Sequence, residues 1–505
     1  MIAAAMIVVS ALVGQVEAGQ SAFHRGLVDT DPAVDAIVTR ASQSALDYYR
    51  RQNHLNTPAD VRAVYDPGTG VIRIDLRGGL LPESGGAELE DLQGFISNGA
   101  LDAMRPIFPA TGTKFFYNGR SFEEQYPAEA VEDRSTSRSR QGVGPVVVSA
   151  GHGWYYHHGF RDWRAQRDPS NGIIEDQITP GYADELRALL VERSRVDAVR
   201  IRSEGMGLHD PSGEEWWRLG GRYSLQAAKP DLPDVWNSLP NSSSSLRERD
   251  EDIRSRPRYA NHLDARALIH LHTNAGNPAA SGARAYVAEG RPDDERLASS
   301  VLCYMRELIN SVEDYSDYAV ALAPEIGRHG ENVQADMPSV IIETGFHTNI
   351  SDAAALQDPV FRTASMKGVE KGYRLFREGK GCLPLKAEPI GGINLSQGDS
   401  QQVDVAFEGY PQYPIQLITT NVGCPPGWTC TDGRVHIEAP DAKPSQITLR
   451  CENAGSAPIL WDTQVVDDDG VKSPPVRHWV QCIRRPGGAV ARPGAPVGVE
   501  PATAG

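Results

Sequence analysis

Residues 146–152 read VVVSAGH, an unbroken apolar run that ends in a glycine and a histidine. A short continuous apolar run closed by a turn residue marks a strand covered on both faces, as in largely parallel sheets flanked by helices. Two further runs have the same form: 267–272 (ALIHLH) and 338–343 (PSVIIE). Each ends in a side chain that can bind a metal or move a proton. In an open α/β sheet, ligands gather beyond the carboxyl ends of the strands, so three ends far apart in sequence can meet. The region 144–380 is therefore expected to be an α/β core with a mostly parallel, twisted sheet flanked by helices. Helices are predicted at 180–193, with Thr179 as N-cap and Pro180 at the first helical position, and at 293–312, which opens on acidic residues.

Outward from this core the composition changes. With 505 residues the chain is long enough for two or three domains. Within 19–140, strand-like runs at 61–66, 71–76 and 114–117 and a helical stretch at 87–104 suggest a small α+β module, followed by a polar linker at 132–142. The stretch 205–253 is rich in Gly, Pro, Ser and charge and includes Trp216-Trp217. It is far longer than an ordinary connection and reads as an inserted loop, lid or autoinhibitory element. From 386 to 483, alternating strands with Pro, Gly and Asp turns fit an Ig-like β-sandwich. The stretch 484–505, rich in Pro, Gly and Ala, is expected to be a disordered tail.

A net charge of −16 argues against nucleic acid or anionic lipid as partner, since a polyphosphate surface requires a basic one. Residues 1–18 form an apolar run ending in a small-residue pattern. This reads as a signal peptide without the usual basic start, and the run is too short to span a bilayer. The six cysteines, at 303, 382, 424, 430, 451 and 482, are an even number and suit an oxidising compartment. None is spaced as CxxC, which disfavours a thiolate zinc site. The expected location is periplasmic or secreted.

Two imidazoles and a carboxylate around zinc leave a fourth position for water, whose pKa falls to about 7 in such sites. A second carboxylate outside the coordination shell can take that proton and return it to a leaving nitrogen. Glu343, at the end of an apolar strand, would be costly to bury without a partner or a task.

At this level of detail, Ala150-Gly151-His152-Gly153, residues 269–275 (IHLHTNA) and 338–349 (PSVIIETGFHTN) resemble the signatures of the zinc-dependent N-acetylmuramoyl-L-alanine amidases of the cell-division type. Arg256-Pro257-Arg258-Tyr259-Ala260-Asn261 resembles the family's Arg-x-x-x-Ala-Asn element. The resemblance spans about half the chain. It implies His152, Glu175 and His272 as zinc ligands, Glu343 as general base, peptidoglycan as substrate and a possible protein activator. Glu175 follows His152 by a longer gap than is usual in the family, so Asp168 and Asp176 stay open as ligands. His270 stands where the family has a serine.

Other groups are read as structural. His157, His158, His209 and His347 are assigned surface or supporting roles, Trp216-Trp217 is taken to anchor its loop, and Asn274 is either a turn residue or a substrate contact. Two alternatives remain at this stage: a zinc peptidase or carboxypeptidase acting on cell-wall peptides, disfavoured by the absence of HExxH, and a non-catalytic wall-binding protein.

Overall fold

The computed structural model describes residues 21–27, 30–134, 142–440, 445–485 and 496–500. The signal-peptide reading at 1–18 and most of the linker lie outside the described residues. The chain divides into two compact units, one comprising 1–306 and 318–380, the other 307–317 and 381–505.

The first unit is built on one nine-stranded sheet. Its order across the sheet is Ala59–Asp66, Val71–Gly78, Gly112–Tyr117, Glu325–Ile326, Arg284–Val287, Ser339–Phe346, Ala267–Asn274, Val146–Ala150 and Ala198–Arg200. All pairings are parallel except the first two strands with each other and Arg284–Val287 with Ser339–Phe346. The three apolar runs lie side by side as the sixth to eighth strands of this order, and every residue of Val146–Ala150 and Ala267–Asn274 is buried. The helix Glu175–Glu192 packs on Val146–Ala150 and Ala198–Arg200, and Pro359–Arg377 packs on that helix.

The sheet revises the expectation of a separate N-terminal module. The strands of 59–117 are hydrogen-bonded into the same sheet as the core, through the pairing of Gly112 with Ile326. The reading failed because strand composition reports burial but not which sheet a strand joins. The helix Ala87–Met104 lies as the periodicity predicts.

Pro180 also falls elsewhere than expected. The helix begins at Glu175, which places Pro180 in its second turn. A proline there has no N–H for the carbonyl four residues back. That carbonyl, of Asp176, accepts instead from Arg202 Nη2 at 2.8 Å, and Thr179 Oγ1 donates to Glu175 O at 3.1 Å. A buried guanidinium 22 residues downstream makes the interior proline tolerable, and no local rule could foresee it.

The insertion is ordered and is not a loose loop. It holds a hairpin (Leu208–His209 with Glu214–Glu215) and the helices Gly221–Ala228 and Pro233–Trp236, and leads into the helix Arg247–His262. Arg222, Tyr223 and Leu225 are buried, and Trp216 packs edge-on to the His209 ring at 4.7 Å.

The second unit contains a five-stranded and a four-stranded sheet around one core in which Trp461 is fully buried. Disulfides join Cys424 to Cys430 and Cys451 to Cys482. Within the expected tail, Pro496–Glu500 forms a strand paired with Gln446–Arg450 and Thr429–Thr431. The β-branched valines of PVGVE were masked by the Pro- and Ala-rich residues around them. Among the described residues, no helix is long and apolar enough to cross a membrane.

Candidate metal centre

His152, Glu175 and His272 meet beyond the ends of the central strands, all buried. His272 Nδ1 lies 3.1 Å from His152 Nε2 and 3.2 Å from Glu175 Oε1, and His152 Nε2 lies 3.3 Å from the same carboxylate oxygen. Three donors held about 2.0–2.1 Å from one tetrahedral ion sit about 3.3 Å from each other. The donor set therefore fits zinc in spacing as well as in chemistry. Asp176 is occupied otherwise: its carboxylate accepts from the backbone N–H groups of Gly153, Gln166 and Arg167, which closes the loop after His152. Neither Asp176 nor Asp168 joins the cluster.

The local sequence explains how His152 reaches this point. Its backbone is left-handed, at φ 57°, and Gly153 follows at φ 133°, a conformation favouring glycine. At Gly151 the constraint is space, because a Cβ there would lie 2.5 Å from Cε1 and Nδ1 of the His272 ring. Gly151→Ala is expected to push the ring away from the other donors and lower zinc affinity at least about tenfold, as loss of ligand orientation does. Competition with a chromophoric chelator measures this, and unchanged affinity would show that the ring does not depend on this approach.

The outer nitrogens of both histidines are tied into one buried circuit. His152 Nδ1 faces Gln166 Oε1 at 3.3 Å, and Gln166 Nε2 donates to Asp252 at 2.9 Å. Arg256 donates to both Asp252 and Glu331, and Glu331 Oε2 meets His272 Nε2 at 3.0 Å. Such outer partners fix the orientation and basicity of ligating imidazoles. Arg256 also donates to His152 O, at 3.2 Å. The quoted Arg-x-x-x-Ala-Asn element thus supplies the brace, and Asp252, one turn before Arg256, could have been suspected from the i,i+4 charge pair. Gln166 and Glu331 escaped sequence reasoning because neither lies at a strand end or in a recognisable spacing.

Charge at the centre is unevenly distributed. Burial opposes ionisation of Glu175, yet His152 and His272 hold its carboxyl well below the usual range. Burial works against the His272 cation too, but Glu331 and Glu175 hold it up at about 10. Glu343 is the opposite case: burial, with Glu175 and Glu331 adding to it, pushes it up to about 8. Its Cα is paired with that of His272 across parallel strands, which sends both side chains to one face of the sheet. The Glu343 Oε2 atom is buried with no hydrogen-bond partner. His270, on the same face, is fully buried, has neither ring nitrogen hydrogen-bonded, and is pushed down to about 4 by burial.

The remaining candidates are accounted for. His347 Nδ1 lies 2.9 Å from Thr273 Oγ1. Asn274 accepts from Asn98 and from the N–H of Ala275, and donates to Tyr286, as a structural residue does. His157 accepts from the N–H groups of Gly159 and Phe160 in a hairpin turn, and His158 pairs with Glu248.

Residues 146–373 match the family model described as N-acetylmuramoyl-L-alanine amidase. The germination-specific N-acetylmuramoyl-L-alanine amidase of Bacillus subtilis (strain 168) is 27% identical over 141 residues, which are 27% of this chain and 56% of that protein. The chain thus spans about half the length of that curated relative. Among solved structures, the catalytic domain of CwlV, an N-acetylmuramoyl-L-alanine amidase from Bacillus (Paenibacillus) polymyxa var. colistinus, aligns at 16% identity over 46% of this chain and 98% of its own, with a TM-score of 0.30. The CwlD amidase from Clostridioides difficile, in complex with the GerS lipoprotein, aligns at 14% identity over 47% and 100%, with a TM-score of 0.31. The matched segment, 146–373, carries all four candidate residues, so the likeness to the N-acetylmuramoyl-L-alanine amidase family falls on the part of the chain that builds this centre.

Proposed function

We propose that the protein hydrolyses the amide bond between N-acetylmuramic acid and L-alanine in peptidoglycan, with zinc held by His152, Glu175 and His272 and with Glu343 as general base. The observation that carries this reading is the meeting of three buried donor atoms within 3.1–3.3 Å of one another, beside a carboxylate that has an unpartnered oxygen. Bound zinc supplies positive charge that polarises the amide carbonyl and acidifies water. Glu343 takes a proton from the attacking water as its oxygen adds to the carbonyl carbon. It returns that proton to the amide nitrogen as the C–N bond breaks, leaving an acid on the sugar and a free amine on L-alanine. Gln166 and Glu331 keep the two imidazoles aimed at the ion. The substrate lies outside the cytoplasm, a location the two disulfides of the second unit also suit.

The test is digestion of purified peptidoglycan by chelator-treated protein, with and without added zinc, reading fragments by mass. Zinc-restored release of peptides that begin at L-alanine is expected. Cuts within the peptides would favour the peptidase, and zinc-independent retention on the wall without release would favour a binding protein.

A further inference from the structure

The helix Ala87–Met104 lies outside the family segment, yet one of its faces reaches the shell of the metal centre. Ala87 N donates to Asp250, Glu90 accepts from the N–H of Gly330 beside Glu331, and Asn98 donates to Asn274, two residues after His272. Positions 87, 90, 91 and 98 share one side of a helix. Asp91 has the most consequential position. One of its oxygens is 2.8 Å from Arg167 Nη2, and the other pairs with Arg249. Arg167 Nε stands 3.7 Å from Glu175 Oε2, beyond hydrogen-bonding distance. The other Glu175 oxygen, Oε1, is the one facing both imidazoles, and it also accepts from the N–H of Thr273 at 2.9 Å.

Arg167 therefore lies between two carboxylates and forms its closer ion pair with the one that is not a ligand. A guanidinium that closed on Glu175 would form a charge-assisted, often bidentate pair and compete with a cation for the same oxygens. We propose that Asp91 is a positioning residue of the metal centre: it restrains Arg167 at a stand-off from Glu175, so that the ligand carboxylate stays available to zinc. This rests on the metal reading above. It makes a helix outside the family segment part of what sets metal affinity.

The experiment is zinc affinity of the full chain, by competition with a chromophoric chelator, for wild type, Asp91→Asn, Arg167→Gln and the double variant, with circular dichroism as a check on folding. Asp91→Asn is expected to weaken zinc binding roughly 10-fold to 100-fold, the usual cost of losing an outer-shell partner. The double variant should return to near wild-type affinity because the competing guanidinium is gone, a rescue that a merely structural Asp91 would not produce. A double variant as weak as Asp91→Asn, or an Asp91→Asn affinity equal to wild type, overturns the proposal. Should Asp91→Asn fail to fold, Arg167→Gln decides: affinity equal to or tighter than wild type supports the stand-off, and weaker affinity overturns it. Wild type that binds no zinc sinks the metal reading itself, an outcome distinct from wild-type binding that is indifferent to Asp91.

Discussion

Glu343→Gln is expected to slow release of peptides from peptidoglycan by roughly 10²- to 10⁴-fold, the range attributed to a positioned acid–base group, while leaving bound zinc at wild-type content. The amide has the carboxylate's shape but cannot accept and return a proton. Glu343 stands apart from the three clustered donors, so its loss should not empty the site. Burial pushes its carboxyl up to about 8; a cation on the neighbouring donors draws that value down and leaves a base at neutral pH. Turnover and metal content measured on one preparation separate the outcomes. Loss of both would make Glu343 a ligand, and retention of activity would place the base elsewhere.

Removing residues 19–140 is expected to do more damage than loss of a detachable module. Arg284, whose side chain is 3% exposed, would lose Asn98 and Asp102, and Arg249, 9% exposed, would lose Asp91. Removing one partner of a buried ion pair costs about 3–5 kcal/mol; Arg249 would bear that and Arg284, left with Glu325 at 4.0 Å, a part of it, against the 5–15 kcal/mol by which folded domains are typically stable. The strand Glu325–Ile326 would also become an open sheet edge, an invitation to aggregation. The shortened chain should be insoluble or unfolded, as solubility and thermal melting would show. A melting temperature within a few degrees of the longer chain would mean that these contacts add little.

The three strand ends were legible in the sequence because burial on both faces writes itself as unbroken apolar runs, and a His or Glu at the end of such a run stands out. The four candidate residues were reached in this way and by resemblance; the structure clusters His152, Glu175 and His272 and sets Glu343 opposite His272 on the neighbouring strand. What could not be read was everything held by long-range pairing. Gln166 and Glu331 lie in segments without periodicity, and their meaning comes from partners 14 and 59 residues away. The membership of Gly112–Tyr117 in the central sheet depends on a neighbour more than 200 residues later. The placement of Pro180 depends on Arg202, a compensation with no local trace.

His272 and Glu343 sit opposite each other on neighbouring parallel strands. The gap between the donor and the base is measured by a ladder of backbone hydrogen bonds running from Leu268 and Ser339 to these two residues. The helices and turns between Asn274 and Ser339 do not set that gap, although the same stretch also contributes Arg284–Val287 and Glu325–Ile326 to the sheet. Loops that join these strands are thus free to differ in length without altering this spacing. The ladder itself has no such freedom: a slip of one residue would turn Glu343 to the opposite side of the sheet.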